Sequence, residues 1–379
     1  MAENTILTTH VGSLPRGPAL TPLLLARDHG EPYDAEEFDR AVQAAVDEGV
    51  RRQVEAGVSI VSDGELGKVG YSTYVTERLE GFGEAHHPRK PALDLAPLPD
   101  LRKKLAAIMG EQEFVRASCV APVRLKDLQP LHDDIRRFRA ALDAHGEGAR
   151  GFMNAASPGL ITAFQPNTHY PSHEAYLADL AEAMRPEYEA IVSAGFDLQL
   201  DCPDLAMSRH TGFQDASEDE FLRIAEANVG ALNAATARIA PDRMRMHICW
   251  GNYEGPHDYD IPLERILAVV LKARPATILF EAANPRHEHE WTVWRDADLP
   301  GDKILAPGLI DTCSNYVEHP ELIAQRIERF AAIVGRDRVI ASTDCGFGTF
   351  AGYGKIDPAV TWKKLAALRE GADLAAARL

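Results

Sequence analysis

The stretch Ser193-Ala194-Gly195-Phe196 ends a helical pattern and leads straight into the apolar run Phe196–Leu200. The stretch Glu55-Ala56-Gly57-Val58 repeats this arrangement earlier in the chain. A glycine that closes a helix directly before a strand is typical of the short helix-to-strand loops of α/β proteins. Strands that alternate with helices in this way predict βαβ units and a parallel sheet.

Short apolar runs, β-branched in part, recur along the whole chain, and each is followed by a polar loop and a helical pattern. They are Thr5–Val11, Val58–Ser62, Phe114–Val120, Phe152–Ala156, Phe196–Leu200, Met244–Ile248, Thr277–Phe280, Ile304–Ile310 and Val339–Ser342. Nine runs are one more than an eight-stranded barrel needs, so we expect Phe114–Val120 or Phe152–Ala156 to be a hairpin or an extra strand. We therefore predict one α/β domain over residues 1–379, a (β/α)8 TIM barrel with inserted loops.

The helical patterns have recognisable ends. Asp34 stands before an apolar stripe that Gly57 closes, and Pro320 stands in the first turn of another stripe that stops at Gly335. An acidic or polar cap, a proline in the first turn and a glycine after the last turn are ordinary helix boundary signals. These signals support helices between the predicted strands.

Long polar segments follow several of the runs and contain many of the His, Trp and Tyr residues. Met207–Glu218, Gly251–Ile261 and Asn284–Pro300 are of this kind. In a TIM barrel such segments are the loops at the C-terminal face, where active sites form. Within the last of them, His287 and His289 are candidates to support such a site or to act as acids toward the substrate, although we expect both to lie on the surface.

The composition excludes some classes of partner. The chain has 379 residues, with 40 Lys and Arg against 57 Asp and Glu and a formal net charge of −17. An acidic chain lacks the basic surface that nucleic acids and anionic membranes require. No run approaches the roughly 18 apolar residues of a membrane span, and Met1–Leu7 lacks the pattern of a secretory signal. We expect neither a nucleic-acid nor a membrane partner.

The cysteines indicate a reducing compartment. There are five of them, and they are widely spread along the chain. An odd number with this spread argues against a disulfide framework. We therefore expect a cytoplasmic protein whose thiols are buried, metal-bound or reactive.

Four side chains that can bind a metal ion stand at the ends of three predicted strands. His247 and Cys249 end the run Met244–Ile248, and residues two apart on a strand point to the same side. Glu281 ends the next run, and Cys345 follows the last one. Because strand ends of a closed barrel meet at one rim, we expect these four side chains to come together.

Two thiolates, an imidazole and a carboxylate suit Zn2+ in tetrahedral geometry, whereas Mg2+ and Ca2+ prefer oxygen ligands. A substrate thiol can displace the carboxylate or enlarge the coordination shell, and zinc then lowers the pKa of that thiol. The set therefore predicts alkyl transfer to a small thiol more than hydrolysis, for which zinc usually has His-rich ligands and an open water position. The alternative is a set of buried thiols with a core histidine.

Five motifs are distributed from one end of the chain to the other. They are Thr8-Thr9-His10-Val11-Gly12-Ser13-Leu14-Pro15-Arg16, Val61-Ser62-Asp63-Gly64-Glu65, Leu200-Asp201-Cys202-Pro203-Asp204-Leu205, Ala306-Pro307-Gly308-Leu309-Ile310-Asp311 and Asp344-Cys345-Gly346. Together they resemble the catalytic barrel of cobalamin-independent methionine synthase, in a short single-barrel form. The resemblance implies a TIM barrel that transfers a methyl group to homocysteine. It also implies that the zinc ligands are His247, Cys249, Glu281 and Cys345.

The resemblance implies roles for five further residues. Val11, Gly12 and Ser13 would hold the carboxylate of the amino-acid thiol, while Glu65 and Asp201 would bind its ammonium group and are candidate catalytic residues. Two carboxylates around one cation, and the N–H groups of a Gly-Ser turn around a carboxylate, are chemically sensible pairings. The alternatives are a solvated Glu65 after a turn and an Asp201 that caps the next helix.

The departures from the family pattern concern the methyl donor. Phe164 stands where the family has a stacking Trp, and we expect it to bind substrate. Val120-Ala121 replaces a Ser-Arg pair that contacts folate, and Met207 replaces an acidic residue. Cys313 takes the place of the His that gives a proton to the leaving group. It is a candidate catalytic residue, although a thiol can hardly substitute for that acid.

Three functions compete at this point. The first is zinc-dependent methyl transfer to homocysteine, with a methylfolate, a methylated corrinoid protein or a small methylated metabolite as donor. The second is an epoxide-opening thiol transferase similar to epoxyalkane:coenzyme M transferase, against which Glu65 and Asp201 count because a sulfonate prefers cationic groups. The third is a non-catalytic metal-binding or corrinoid-handling protein. The sequence also leaves a homo-oligomer open.

Overall fold

The computed structural model describes residues 5–84, 90–109, 117–146 and 148–379. Its strands are β1 (Ile60–Ser62), β2 (Leu79–Gly83), β3 (Ser118–Leu125), β4 (Arg150–Ala156), β5 (Asp197–Asp201), β6 (Met244–His247), β7 (Thr277–Phe280) and β8 (Ile304–Pro307). Its helices are α1 (Thr21–Asp28), α2 (Ala35–Glu55), α3 (Val75–Arg78), α4 (Pro99–Met109), α5 (Gln129–His145), α6 (Pro158–Phe164), α7 (His173–Ser193), α8 (Ser208–Thr211), α9 (Glu218–Ala235), α10 (Leu263–Val270), α11 (Trp291–Asp296), α12 (Pro320–Val334) and α13 (Pro358–Arg378). Within these ranges no helix has the length and apolar character needed to cross a membrane.

Six of the strands form one sheet in the order β1-β4-β5-β6-β7-β8, and every neighbouring pair is parallel. From β4 onward, neighbours in the sheet are also successive strands in the chain. Helices occupy the connections between them, because parallel neighbours require a crossover. The predicted α/β class with a parallel sheet is confirmed.

The first and last predicted runs make isolated bridges rather than strands. Thr8 bridges Ala341, and Leu305 of β8 bridges Val339. On the other edge of the sheet, the Ile60 N–H of β1 donates to the Thr8 carbonyl (3.0 Å). The predicted barrel is therefore seen as a six-stranded parallel sheet with two bridging segments between its edge strands.

The extra strand belongs to a separate small sheet. β2 and β3 pair antiparallel and form a two-stranded sheet of their own. β3 contains the end of the run Phe114–Val120, of which residues 114–116 lie outside the described part of the chain. The other candidate, Phe152–Ala156, lies in β4 of the parallel sheet, so the extra strand is the earlier of the two.

The structure confirms the helix ends that were predicted from nearby capping residues. The Asp34 carboxylate accepts hydrogen bonds from the N–H groups of Glu36 (2.9 Å) and Glu37 (3.0 Å) at the start of α2. Gly57 and Gly195 have φ angles of 80° and 90°, a left-handed conformation that favours glycine. These residues turn the chain from a helix into the next strand.

The expected loops contain short helices that the sequence patterns did not indicate. Asn284–Pro300 includes α11, and Met207–Glu218 includes α8. Within α11, Trp294 is fully buried and its ring centroid lies 4.4 Å from that of Phe280. Burial of this large apolar ring stabilises a segment whose local composition is polar.

An apolar cluster fills the space enclosed by the sheet. Its buried members come from β1, β4, β7, β8 and the two bridging segments: Val11, Ile60, Phe152, Leu279, Ala306 and Ile340. Side chains alternate along a strand, so residues two positions later point to the same side. Asn154 follows Phe152 and Glu281 follows Leu279 in this way. Polar side chains therefore lie beyond an apolar layer, at the carboxyl ends of the strands.

Candidate metal centre and substrate site

His247, Cys249 and Cys345 place one donor atom each within 4.8 Å of one another, and all three residues are buried. The two sulfur atoms are 3.8 Å apart. His247 is the last residue of β6, and Cys249 lies two positions further on. The structure therefore brings together three of the four predicted metal ligands from distant parts of the chain.

The protonation states of these three groups are linked. A hydrogen bond with Cys345, together with burial, raises the pKa of Cys249 well above its ordinary value. The same hydrogen bond, together with His247, holds the pKa of Cys345 well below its ordinary value in spite of burial. Burial lowers the pKa of His247, but Cys345, Asp201 and Glu281 outweigh it, and the pKa is raised. The three groups therefore lie close enough together for each to shift the pKa of the others.

The donor set fits zinc. Neither ring nitrogen of His247 has a nitrogen or oxygen hydrogen-bond partner, and the Cys345 sulfur lies beside the ring. A further group bound there would offset the cost of burying this polar ring. Two sulfurs and an imidazole are ligands typical of zinc, and hard cations prefer oxygen. In the described part of the chain, no other three His, Cys, Asp or Glu donor atoms come this close.

Glu281, the fourth predicted ligand, lies outside this group of three. Its Oε1 accepts a hydrogen bond from the Trp250 N–H (2.8 Å), and its Oε2 accepts one from the Asn284 amide (2.8 Å). Burial raises the pKa of Glu281, and the charge of Cys345 raises it further. The carboxylate is thus close enough to interact with the Cys345 thiolate, while protein donors hold both of its oxygens.

Glu65 and Asp201 form a pair of buried carboxylates, only 2% and 5% exposed. Asp201 accepts hydrogen bonds from the side-chain amides of Asn154 (3.0 Å) and Gln199 (3.1 Å). The Oε2 atom of Glu65 has no hydrogen-bond partner. Burial raises the pKa of Glu65 to about 8, with Lys68 opposing the rise and Asp201 adding to it. Neither alternative from the sequence, a solvated Glu65 or a helix-capping Asp201, is seen.

One residue of the carboxylate pair and one candidate metal ligand lie on neighbouring strands, β5 and β6. Asp201 of β5 lies in register with His247 of β6. The Cys202 N–H donates to the His247 carbonyl (2.8 Å). Neighbouring strands are about 4.8 Å apart, so the two groups lie next to each other at the carboxyl edge of the sheet.

In the Gly-Ser turn, two backbone N–H groups already donate hydrogen bonds within the chain. The Val11 N–H donates to Thr343 Oγ1 (3.2 Å), and the Gly12 N–H donates to His10 Nδ1 (3.2 Å). Ser13 packs so closely on the residue after Cys345 that a Cβ on Gly346 would lie 2.0 Å from Ser13 Oγ. Two of the three expected carboxylate donors therefore already have partners within the chain.

Cys313 is half-buried and connects two loops near the metal centre. Its Sγ lies 3.2 Å from Asn252 Oδ1 and 3.5 Å from Lys355 Nζ. Asn252 in turn donates to the carbonyl of Gly346 (2.8 Å). Burial raises the pKa of Cys313 to about 12. A thiol with this pKa stays protonated near neutrality and is a weak proton donor.

The residues that depart from the family pattern lie in different places. Phe164 packs edge-on against Tyr71 with ring centroids 5.5 Å apart. The Met207 N–H donates to the Cys249 carbonyl (3.0 Å), so Met207 is close to the metal centre. Val120 is 40% exposed on β3 of the small sheet.

A buried polar network that the sequence patterns did not predict lies behind the centre. His287, expected on the surface, is 4% exposed and hydrogen-bonds to Glu290 (2.8 Å) and Asp260 (3.1 Å), whereas His289 is exposed as expected. Burial lowers the pKa of His287, but these two carboxylates raise it to about 10. The spacing of His287 and Glu290 on one helical turn was a signal for the first contact, and no local signal indicates the second.

Comparisons with known proteins agree with this geometry. The family described as "Cobalamin-independent synthase, Catalytic domain" matches residues 150–364. A methionine synthase of Thermococcus kodakarensis is 24% identical and covers 97% of this chain and 92% of its own length. A methionine synthase of Methanothermobacter marburgensis is 26% identical and covers 90% of this chain and 93% of its own length.

A solved structure shares the fold. It is a B12-independent methionine synthase from Shewanella sp. W3-18-1 in complex with selenomethionine, with a TM-score of 0.70, 20% identity and coverage of 98% of this chain and 97% of that chain. The family match spans more than half of the chain and includes all four predicted metal ligands. The resemblance drawn from the motifs is confirmed, and the chain belongs to the cobalamin-independent synthase catalytic-domain family.

Proposed function

We propose that this chain is a zinc-dependent methyltransferase that transfers a methyl group to the sulfur of homocysteine and forms methionine. The observation that carries the proposal is the adjacency of Asp201 and His247 on neighbouring strands. A carboxylate for the ammonium group and a metal ligand for the thiol then lie one strand apart, a distance that a short amino-acid thiol can span. The curated relatives named methionine synthase, aligned over most of the chain, support the same reaction.

We assign the zinc to His247, Cys249, Cys345 and Glu281, which would hold it at the carboxyl edge of the sheet. Zinc bound there would lower the pKa of the thiol and keep it as a thiolate. The chain contributes a buried site, in which electrostatic interactions are stronger than in water. Trp250 and Asn284 donate to the Glu281 carboxylate and would orient it beside the other three ligands.

Glu65 and Asp201 bind the substrate ammonium group in this proposal. Two buried carboxylates repel each other, and a cation between them relieves both the repulsion and the cost of burial. Asn154 and Gln199 fix the orientation of Asp201. Ser13 binds the substrate carboxylate; Val11 and Gly12 would do so only by giving up their present partners. With the amino acid held at this end, its sulfur is directed at the metal ligands.

The methyl donor faces the other side of the thiol. Phe164 offers an aromatic surface to it, and Cys313 orients the leaving group through Asn252 rather than acting as a strong acid. We propose a methylfolate, a methylated corrinoid protein or a small methylated metabolite as the donor.

We also propose that the two bridging segments complete an eight-stranded (β/α)8 barrel, and that residues 1–379 are one catalytic domain. The bridges of Thr8 and Leu305 and the shared apolar cluster support a closed barrel.

All five cysteines are free. Because the ligand sulfurs must stay reduced, we propose the cytoplasm as the location.

Metal analysis and a thiol-by-donor activity screen on the purified protein test this function. We expect bound zinc, and turnover of homocysteine that is lost on chelation and restored by zinc. A matched thiol without the amine, 2-mercaptoethanesulfonate, should turn over far more slowly. Activity that survives complete removal of metal would contradict the proposal. A preference for the sulfonate would favour the epoxide-opening alternative, which the relatives named above do not support.

Zinc-edge X-ray absorption provides the second test. Addition of homocysteine should introduce a new sulfur neighbour at the metal. An unchanged coordination shell would indicate a structural zinc and would overturn the catalytic role.

A further inference from the structure

The side chain of Asn284 is hydrogen-bonded on both sides. Its Oδ1 accepts from the N–H groups of Arg286 (3.1 Å) and His287 (3.2 Å). Its Nδ2 donates to Glu281 Oε2 (2.8 Å) and to Asp344 Oδ2 (3.1 Å). Because backbone N–H groups only donate, the orientation of the amide is determined: the oxygen faces the turn and the NH2 group faces two carboxylates.

Asp344 holds the backbone of the same loop. Its Oδ1 accepts from the N–H groups of Ala282 (2.8 Å) and Ala283 (2.9 Å), and its Oδ2 accepts from the N–H of Asn284 (2.9 Å). The carboxylate is buried, and a Cβ on Gly308 would lie 2.1 Å from its Oδ1. Hydrogen bonds from N–H groups to a buried carboxylate are strong and geometrically demanding.

These two residues connect the loops that carry proposed ligands. Asp344 directly precedes Cys345 in the chain. It fixes the three residues after Glu281, and Asn284 places an NH2 group between the two carboxylates. Without that group, Glu281 and Asp344 would face each other with no donor between them, and like charges repel.

We propose that Asn284 and Asp344 are positioning residues that hold Glu281 beside the metal centre. The inference rests on the proposed function, since it takes Glu281 to be a zinc ligand. Hydrogen-bond partners that orient a metal ligand commonly change metal affinity by about 10- to 100-fold when they are removed. A purely structural role, in which Asn284 only caps the turn through Oδ1, is the competing explanation.

A double-mutant cycle separates the two explanations. Zinc affinity is measured by competition with a chromogenic chelator for the wild type, N284A, E281A and the double variant. We expect N284A to weaken zinc binding by about tenfold or more. In the E281A background the same change should alter affinity by no more than about twofold, because Asn284 acts through Glu281. Equal losses in both backgrounds would overturn the proposal.

Two further variants, N284S and D344N, distinguish the positioning role from the turn-capping role. N284S retains an oxygen that can cap the turn but cannot reach the carboxylates, so it should lose zinc affinity as N284A does. D344N replaces a carboxylate oxygen with an NH2 group that faces backbone N–H donors. It should weaken zinc binding at least as much as N284A does. If N284S binds zinc like the wild type, the turn-capping explanation is correct and ours is wrong.

Asn228 offers a matched control. Its Nδ2 also donates to a buried carboxylate, Asp204 Oδ2 (2.9 Å), in a network that includes neither Glu281 nor Asp344. N228A should lower the thermal unfolding temperature without weakening zinc binding; an equal loss of zinc affinity would show a general effect of instability. If the wild type binds no zinc, the proposed function and this inference both fail. If the wild type binds zinc and turns over homocysteine while N284A keeps full zinc affinity, only this inference fails.

Discussion

The sulfur atoms of Cys249 and Cys345 lie 3.8 Å apart although 96 positions separate the two residues in the chain. Cys249 follows β6, and Cys345 follows the bridging segment that pairs with β8. Two thiolates at this distance repel each other strongly in a buried site unless a cation lies beside them. The pair is therefore suited to a metal ion and reactive without one.

Removal of the metal should make this pair sensitive to oxidation. After chelation and exposure to a mild oxidant, we expect Cys249 and Cys345 to form a disulfide that a reductant reverses. Without a metal ion to coordinate them, the two sulfurs are free to react with the oxidant and with each other. Peptide mapping by mass spectrometry measures the bond. Zinc-loaded protein treated in the same way should keep both thiols. A bond that forms equally fast with zinc in place would contradict the prediction.

Replacement of Asp201 should affect the amine end of the substrate. We expect Asp201→Asn to raise KM for homocysteine by roughly 10- to 100-fold, since a hydrogen bond to a charged group contributes about 1.5–3 kcal/mol. Steady-state kinetics over a range of homocysteine concentrations measure the change. Asp204→Asn, in the same loop but bonded to Ser157 (2.9 Å) and Asn228 (2.9 Å), should leave KM unchanged. Equal effects of the two variants would argue against an ammonium site at Asp201.

His10 should make stability depend on pH. Burial lowers the pKa of His10 from 6.5 to about 4. Its Nδ1 accepts from the Gly12 N–H, so its Nε2 donates to Gln53 Oε1 (2.7 Å) and the ring is neutral. Between pH 6.5 and about 4 the unfolded chain binds a proton that the folded chain does not. The free energy of unfolding therefore falls as the pH falls through this window.

The size of this effect follows from the shift. Each unit of pKa corresponds to about 1.4 kcal/mol, so His10 should account for about 3 kcal/mol of lost stability between neutral pH and pH 4. Urea unfolding at several pH values measures it, with His10→Asn as the comparison. The variant should be less stable at neutral pH and should lose less stability on acidification. Parallel curves for the two proteins would rule out His10 as the cause.

Replacement of Cys313 should leave the chemistry largely intact. Its pKa of about 12 makes it a poor acid near neutrality, and a serine hydroxyl can donate to Asn252 in the same way. We expect Cys313→Ser to change kcat by less than about tenfold, whereas loss of a general acid costs about 10²- to 10⁴-fold. The pH profile of kcat should keep its shape. A fall of about 100-fold with the loss of one limb of that profile would make Cys313 the acid.

Part of the site could be predicted because its signals are local. His247 and Cys249 share a face through the two-residue period of a strand, and their position at a strand end placed them at the carboxyl edge of a parallel sheet. Glu65 and Asp201 were found through family motifs, since nothing in their immediate sequence distinguishes a buried carboxylate from a solvated one. The helix ends at Asp34 and Gly57 were predicted from capping, which acts over a few residues.

Several contacts between distant loops could not be predicted. No pattern in the sequence indicates that Thr343 accepts a hydrogen bond from the Val11 N–H, or that His287 hydrogen-bonds to Asp260. These contacts depend on which loops meet, and many loop arrangements are compatible with the same alternation of strands and helices.

The sequence by itself determined the parallel α/β class, the ends of helices such as α2, and the chemical types of the candidate metal ligands, because periodicity, capping and strand-end position are local properties of the chain. The tertiary structure alone decided that the sulfurs of Cys249 and Cys345 lie 3.8 Å apart, that Asp201 lies in register with His247, and that Asp344 holds the loop after Glu281. The physical reason is that each of these contacts joins strand ends and loops far apart in the chain, and only the pairing and packing of the whole sheet bring them within hydrogen-bond distance.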